Sequence, residues 1–227
     1  MRNSVDLSLL RFQLKALLGD KTSLWQALIC HWVLTGFVFA KKGLASAASA
    51  DAALWTNYGL FVAAAALTMF GGICIGFVLV KPRSYGMVEL MLASPLSLRK
   101  LAVTSYFTCL LFSVANLALH FLVIGLRFGA VPYGPGFYSA LAAATAFAGS
   151  VLFGAVILAL RRKDSDQLQG VLLAVGLMFI APLMFTRLRL DIPSWLPLFL
   201  AAVCALGFFS LWSGFYRLIT REKAVLA

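Results

Sequence analysis

Asn116 and His120 stand four residues apart in an otherwise apolar stretch, and at 3.6 residues per turn that spacing puts both on one face of one helix. An amide and an imidazole both donate and accept hydrogen bonds, so the pair either ties its helix to a neighbour or lines a path for a polar solute. The other polar side chains in apolar surroundings are Gln26, His31, Asn57, Gln167 and Gln169. The two histidines lack acidic neighbours there, no H-E-x-x-H or G-x-S-x-G occurs, and no Gly-rich loop ends in G-K-[ST]. The sequence therefore offers no catalytic residue, no metal centre and no phosphate cradle, and the chain is expected neither to be an enzyme nor to hold a cofactor. Cys30, Cys74, Cys109 and Cys204 fall in four different apolar stretches without C-x-x-C pairing and read as small buried hydrophobes.

The elements that must position these groups follow from the hydropathy pattern. With 62% hydrophobic and 12% charged residues, the chain carries its charge in short clusters between apolar runs long enough to cross a bilayer as helices. The expected fold is a single all-α integral membrane domain over residues 1–227, with six spans at about 22–40, 54–80, 101–126, 137–160, 167–185 and 192–216. Pro182, Pro193 and Pro197 suggest a broken or re-entrant element over 180–197, between the fifth and sixth spans. The first span is expected to be retained, because 21 residues precede it and Lys41 and Lys42 follow before any A-x-A site.

Basic residues resist translocation, and with the N-terminus inside, fourteen of the 19 Lys and Arg residues fall on the cytoplasmic side. Both termini are therefore expected in the cytoplasm. The net charge of +11 is read as topology signal and attraction to anionic membrane lipids, with no nucleic-acid partner.

Ahead of the first span, Leu7, Leu10, Leu14, Leu17 and Leu18 recur at helical spacing while Ser8, Arg11 and Lys15 take the other face, so residues 1–21 are expected to form an amphipathic helix on the cytoplasmic leaflet. Small residues at four-residue spacing (Gly72 and Gly76; Ala140, Ala144 and Ala148; Ser150 and Gly154) allow close helix packing. Trp25, Trp55, Tyr58, Trp195, Trp212 and Tyr216, near span ends, read as headgroup anchors.

The longest interior connection, residues 81–100, holds "GMVELMLASPLSLRK". Met87, Leu90 and Met91 recur at i, i+3, i+4, which predicts a short helix with a wide apolar face. Ser94 and Pro95 fit an N-cap and first helical residue for the helix entering the third span. Such a helix either docks a partner or lies in the headgroup layer. The spans contain no Asp, Glu, Lys or Arg that could serve as a coupling group, so energy for any transport is expected from outside the membrane domain.

The run from Gly86 to Pro95 resembles the G-x-x-E-x-L-L-x-[ST]-P stretch of ABC-2 type transporter permeases, the membrane subunits of type V ABC exporters, and lies in the same place between the second and third spans. The resemblance extends to the amphipathic first helix, the six spans and the irregular element before the last span. By this resemblance Gly86, Glu89, Ser94 and Pro95 mark a coupling helix that contacts an ABC ATPase subunit, with Met87, Leu90 and Met91 as the docking face. Met91 stands where the family has its first Leu, and "KPRSY" replaces a more acidic lead-in.

The resemblance implies an exporter of amphipathic cargo in a bacterial-type plasma (inner) membrane. Two permeases, identical or homologous, would pair above two ATPase subunits that bind ATP and Mg. The segment "ELMLASPLSL" and the "LRR" after the fourth span are also similar to the membrane subunit of the haem-linked cytochrome c maturation system. An ATP-independent channel or secondary carrier, and a membrane scaffold, are the competing classes.

Overall fold

The structure, a computed structural model, describes residues 5–40, 52–87, 91, 97–128, 134–161, 166–185 and 195–218. Among the described residues it is all-helical. The helices are α1 (Leu7–Gly19), α2 (Lys21–Ala40), α3 (Ala52–Ile75), α4 (Lys81–Ser84), α5 (Leu98–Phe128), α6 (Pro135–Arg161), α7 (Asp166–Phe185) and α8 (Trp195–Leu218), with a π-helical turn over Gly76–Val80 joining α3 to α4.

Among the described residues four stretches are long and apolar enough to cross a membrane: Trp55–Ser84, Leu98–Leu126, Pro135–Arg161 and Trp195–Phe215. Gln167–Ile180 is apolar but shorter. The region expected to be broken or re-entrant is helical at both its ends: α7 continues through Pro182 to Phe185, and Pro197 sits in the first turn of α8, where helical N–H groups have no intrahelical partner to lose. Residues 186–194 lie outside the described residues.

One helix is the hub. Its membrane-length stretch is 94% buried, against 6% for that of α8, because α3 has α6, α7, α5 and α2 packed around it while α8 leans on α6. The sequence makes this possible with small residues. A Cβ on Gly72 would lie 2.8 Å from Leu172 Cβ, and one on Gly176 would meet Met69 Cγ and come within 3.1 Å of the Ala65 carbonyl oxygen. Ala140, Ala144 and Ala148 are all buried. The small faces therefore serve close approach between helices, as their spacing suggests.

The π turn has a local cause. Pro82 follows it by two residues, and in a regular helix the proline ring would press on the carbonyl four residues earlier, at Val78. Widening the turn, so that the Lys81 N–H reaches the Gly76 oxygen, keeps the helix continuous into α4.

Gly176→Leu is expected to lower stability by about 1–3 kcal/mol or more, through overpacking against Met69 and Ala65. Gly207→Ala, where an added Cβ meets nothing within 4 Å, is expected to be neutral or slightly stabilising. Thermal unfolding of both variants in one detergent checks the pair; equal losses would mean that α7 does not approach α3 as closely as described.

Candidate functional site

Where α2, α3 and α5 meet, the polar residues of the apolar stretches find one another. His31 Nε2 lies 3.0 Å from Asn116 Oδ1, and the Asn116 amide nitrogen donates to the Phe112 carbonyl at 2.8 Å. One turn further along α5, His120 Nε2 lies 2.7 Å from the Tyr58 hydroxyl and its Nδ1 lies 3.5 Å from Thr35 Oγ1. A hydroxyl can donate to or accept from an imidazole nitrogen, so Tyr58 and Thr35 can satisfy both ring nitrogens of His120 in either tautomer. His31 also packs on Phe70 at 4.7 Å between ring centroids, and Trp55 meets Tyr58 edge-on at 5.6 Å.

The four-residue spacing of Asn116 and His120 thus places two clasps on one face of α5, the first to α2 and the second to α3 and α2. His120 is fully buried by its partners, whereas Asn116 is half-buried. A third polar pair, Gln169 Nε2 donating to Gln26 Oε1 at 2.8 Å, links α7 to α2. Among the described residues no three His, Cys, Asp or Glu side chains stand together as a metal site. These contacts can hold α2 against the hub.

Two expectations are corrected here. Trp55 and Tyr58, read as headgroup anchors, are each only 1% exposed. The Tyr58 hydroxyl has a partner inside the bundle, so the ring need not reach the membrane surface. Trp25 and Trp195, exposed on the outside, keep the position that an anchor requires. Thr35 had no sequence signal of its own, since a lone threonine in an apolar helix commonly bonds its own backbone.

The second cluster gathers at one end of the bundle. Asp20 is the whole connection between α1 and α2: its N–H closes α1 on the Ala16 carbonyl, its Oδ1 accepts from the Thr22 N–H at 2.8 Å, and its Oδ2 pairs with Lys81 Nζ at 2.5 Å. Arg83 is buried and donates from Nη1 to the Ala159 carbonyl at 2.7 Å, near the end of α6. Arg99 lies over the Trp212 ring, 5.1 Å from its centroid. Helix α1 closes the group: Gln13 donates to Ser105 Oγ at 2.9 Å and accepts from Thr108 at 2.8 Å, while the Asp6 N–H donates to Thr104 Oγ1 at 3.1 Å.

From this end the chain runs into the expected coupling segment. Gly86 takes φ +70°, donates its N–H to the Arg83 carbonyl at 2.9 Å, and has open space where a side chain would be. The glycine is needed for its left-handed backbone. Tyr85 and Met87 are exposed, whereas Met91 is half-buried and packs on the core. Glu89, Leu90, Ser94 and Pro95 lie outside the described residues. The helix entering the bundle is capped by Ser97: its carbonyl accepts from the Leu101 N–H at 3.1 Å and its hydroxyl from the Lys100 N–H at 3.2 Å. Ser97 thus fills the capping role expected of Ser94, because α5 starts at Leu98.

Tyr58→Phe leaves a buried imidazole nitrogen without its partner and is expected to cost about 1–2 kcal/mol, whereas Asn116→Leu, at a half-buried pair, is expected to cost about 0.6 kcal/mol. Unfolding midpoints of the two variants measure the difference. The Lys81 ammonium, donating to Asp20, holds that carboxyl below the ordinary carboxylate range. A lowered folded-state value means that the contribution is present above the ordinary value near 3.8 and fades as pH falls through and below it. Stability should thus drop more steeply between pH 5 and 3 in the wild type than in Lys81→Gln, by less than about 1 kcal/mol for so exposed a pair. Parallel pH titrations of unfolding decide it. Comparison of the chain with protein-family models, curated proteins and solved structures found no match.

Proposed function

We propose that the chain is the membrane subunit of an ATP-driven exporter, with six spans, both termini cytoplasmic and the ATPase carried by a separate polypeptide. The reading rests on one observation above the rest: the stretch that resembles the ABC-2 coupling segment begins at a left-handed glycine on a braced end of the bundle. Lys81 is tied to Asp20, Arg83 to the end of α6, and Tyr85 and Met87 project beyond them. A segment that must pass a partner's movement to the spans needs such bracing, since a slack connection would absorb it.

In this reading ATP closes the partner ATPase, and the membrane subunit contributes the lever. A push on residues 85–91 reaches α3 through α4 and the π turn, α6 through Arg83, and the α1–α2 corner through Asp20. The energy to switch the bundle between two arrangements comes from a partner that binds one of them better. The membrane is a bacterial-type plasma membrane, two permease copies pair in it, and the cargo is amphipathic.

A secondary carrier would need a charged or titratable group in its path; the six expected spans hold no Asp, Glu, Lys or Arg, and their two histidines, His31 and His120, are each engaged in a clasp between helices. A scaffold would not need the bracing.

Purification of the full chain from its native membrane in mild detergent, followed by mass spectrometry, is expected to recover a stoichiometric ATPase with a phosphate loop. Met87→Asp and Glu89→Ala are expected to lose it while leaving the unfolding midpoint unchanged, because Met87 lies outside the packed core. Absence of any ATPase after gentle cross-linking, or its full retention by both variants, would overturn the proposal.

A further inference from the structure

Helix α1 docks on the bundle by an unusual side. Its buried residues are Gln13 and Leu17, with the Gln13 amide held by Ser105 and Thr108, while Leu7 and Leu18 are 74% and 58% exposed. At 3.6 residues per turn, Leu7, Leu14 and Leu18 lie about a quarter turn from Gln13 and Leu17, and Arg11 and Lys15 lie further round, on the side away from the bundle. The leucines and the two cations lie side by side along one flank of the helix, where Arg11, Lys15, Leu7 and Leu18 are exposed.

Three layers thus follow one another round α1: the docking contact, a leucine ridge, then two exposed cations one turn apart. Among the described residues no carboxylate pairs with Arg11 or Lys15; the nearest candidates in sequence are occupied, Asp6 by Ser8 and Leu9 and Asp20 by Lys81. A ridge of apolar side chains beside unpaired cations, at the basic end of a membrane-length bundle, matches a molecule with an acyl chain and an anionic head.

We propose that this face of α1 binds an anionic phospholipid, its acyl chain along Leu7, Leu14 and Leu18 and its phosphate between Arg11 and Lys15. A second copy of the chain on the same face would bring two more cations against these. The chain's own last residues, with Arg221 and Lys223 flanking Glu222, carry the same sign. The site rests on the chain lying in a membrane and is independent of whether it works with an ATPase.

The test uses the full chain, without ATPase, in nanodiscs of phosphatidylcholine containing a minority of phosphatidylglycerol, with retained lipid identified by native mass spectrometry. The wild type is expected to retain phosphatidylglycerol preferentially. Arg11→Gln with Lys15→Gln should weaken retention about tenfold or more, since it removes both cations that would face the phosphate. The charge-preserving exchange Arg11→Lys with Lys15→Arg should retain the lipid, as should Arg161→Gln at an exposed cation on another helix. Rising salt should release the lipid from the wild type, a readout that needs no variant to fold. Equal retention of the two lipids, equal retention by the neutralised variant, or indifference to salt would each overturn the site. Cross-linking of a Leu14→Cys variant to a second copy would assign the face to protein contact instead.

Discussion

Helices in a hydrocarbon environment gain little from hiding apolar surface, because lipid tails are as apolar as leucine; they adhere by packing closely and by pairing polar groups. Close packing needs a small residue on one side of each crossing point, and here, while α7 supplies Gly176, most of them come from α3. Its run from Ala63 to Ala66 and its glycines let α6 and α7 approach on two sides, and the facing residues are matched in size: Leu172 against Gly72, Met69 against Gly176. If α3 carried larger side chains at Gly71 and Gly72, which face Leu152 of α6 and Leu172 of α7, those helices would have to move outward.

The polar pairs take over where packing is thinner. Helix α2 presents Leu24, Trp25, Leu28, Ile29 and Trp32 outward, and on its inner side Gln26, His31 and Thr35 each meet a polar partner on a different helix or turn. A polar group inside a bundle is costly to leave alone, so these pairs fix which neighbours α2 has and in what register. The same logic holds α1, whose buried Gln13 finds Ser105 and Thr108. That docking buries Leu17 and leaves Leu7 and Leu18 exposed.

At the basic end, backbone geometry and charge combine. The π turn carries the hub helix past Pro82, and the short α4 beyond it is pinned by Arg83 to α6 and by Lys81 to Asp20. A residue that ends one helix, starts the next and forms an ion pair, as Asp20 does, makes the α1–α2 corner part of the same brace. The chain then turns outward at Gly86, so the segment proposed to meet a partner leaves from a fixed point.

The all-helical fold and the places of α1 to α3 and α5 to α8 were legible in the sequence, because apolar runs, charge clusters and turn residues are local properties; the π turn and α4, which carry the chain past Pro82, were not. The Leu spacing of α1, the small faces of α3 and α6 and the shared face of Asn116 and His120 were legible for the same reason: helical periodicity is set by the backbone. What Asn116 and His120 touch was decided only by the tertiary structure, since their partners His31, Thr35 and Tyr58 lie 62 to 85 residues away along the chain. Position near a span end made Tyr58 look like an anchor, but a tyrosine near the headgroups and one bonded inside the bundle have the same local sequence. Likewise periodicity showed that α1 has a leucine face, while the choice of Gln13 as its docking residue depended on Ser105 and Thr108 being in place to satisfy an amide.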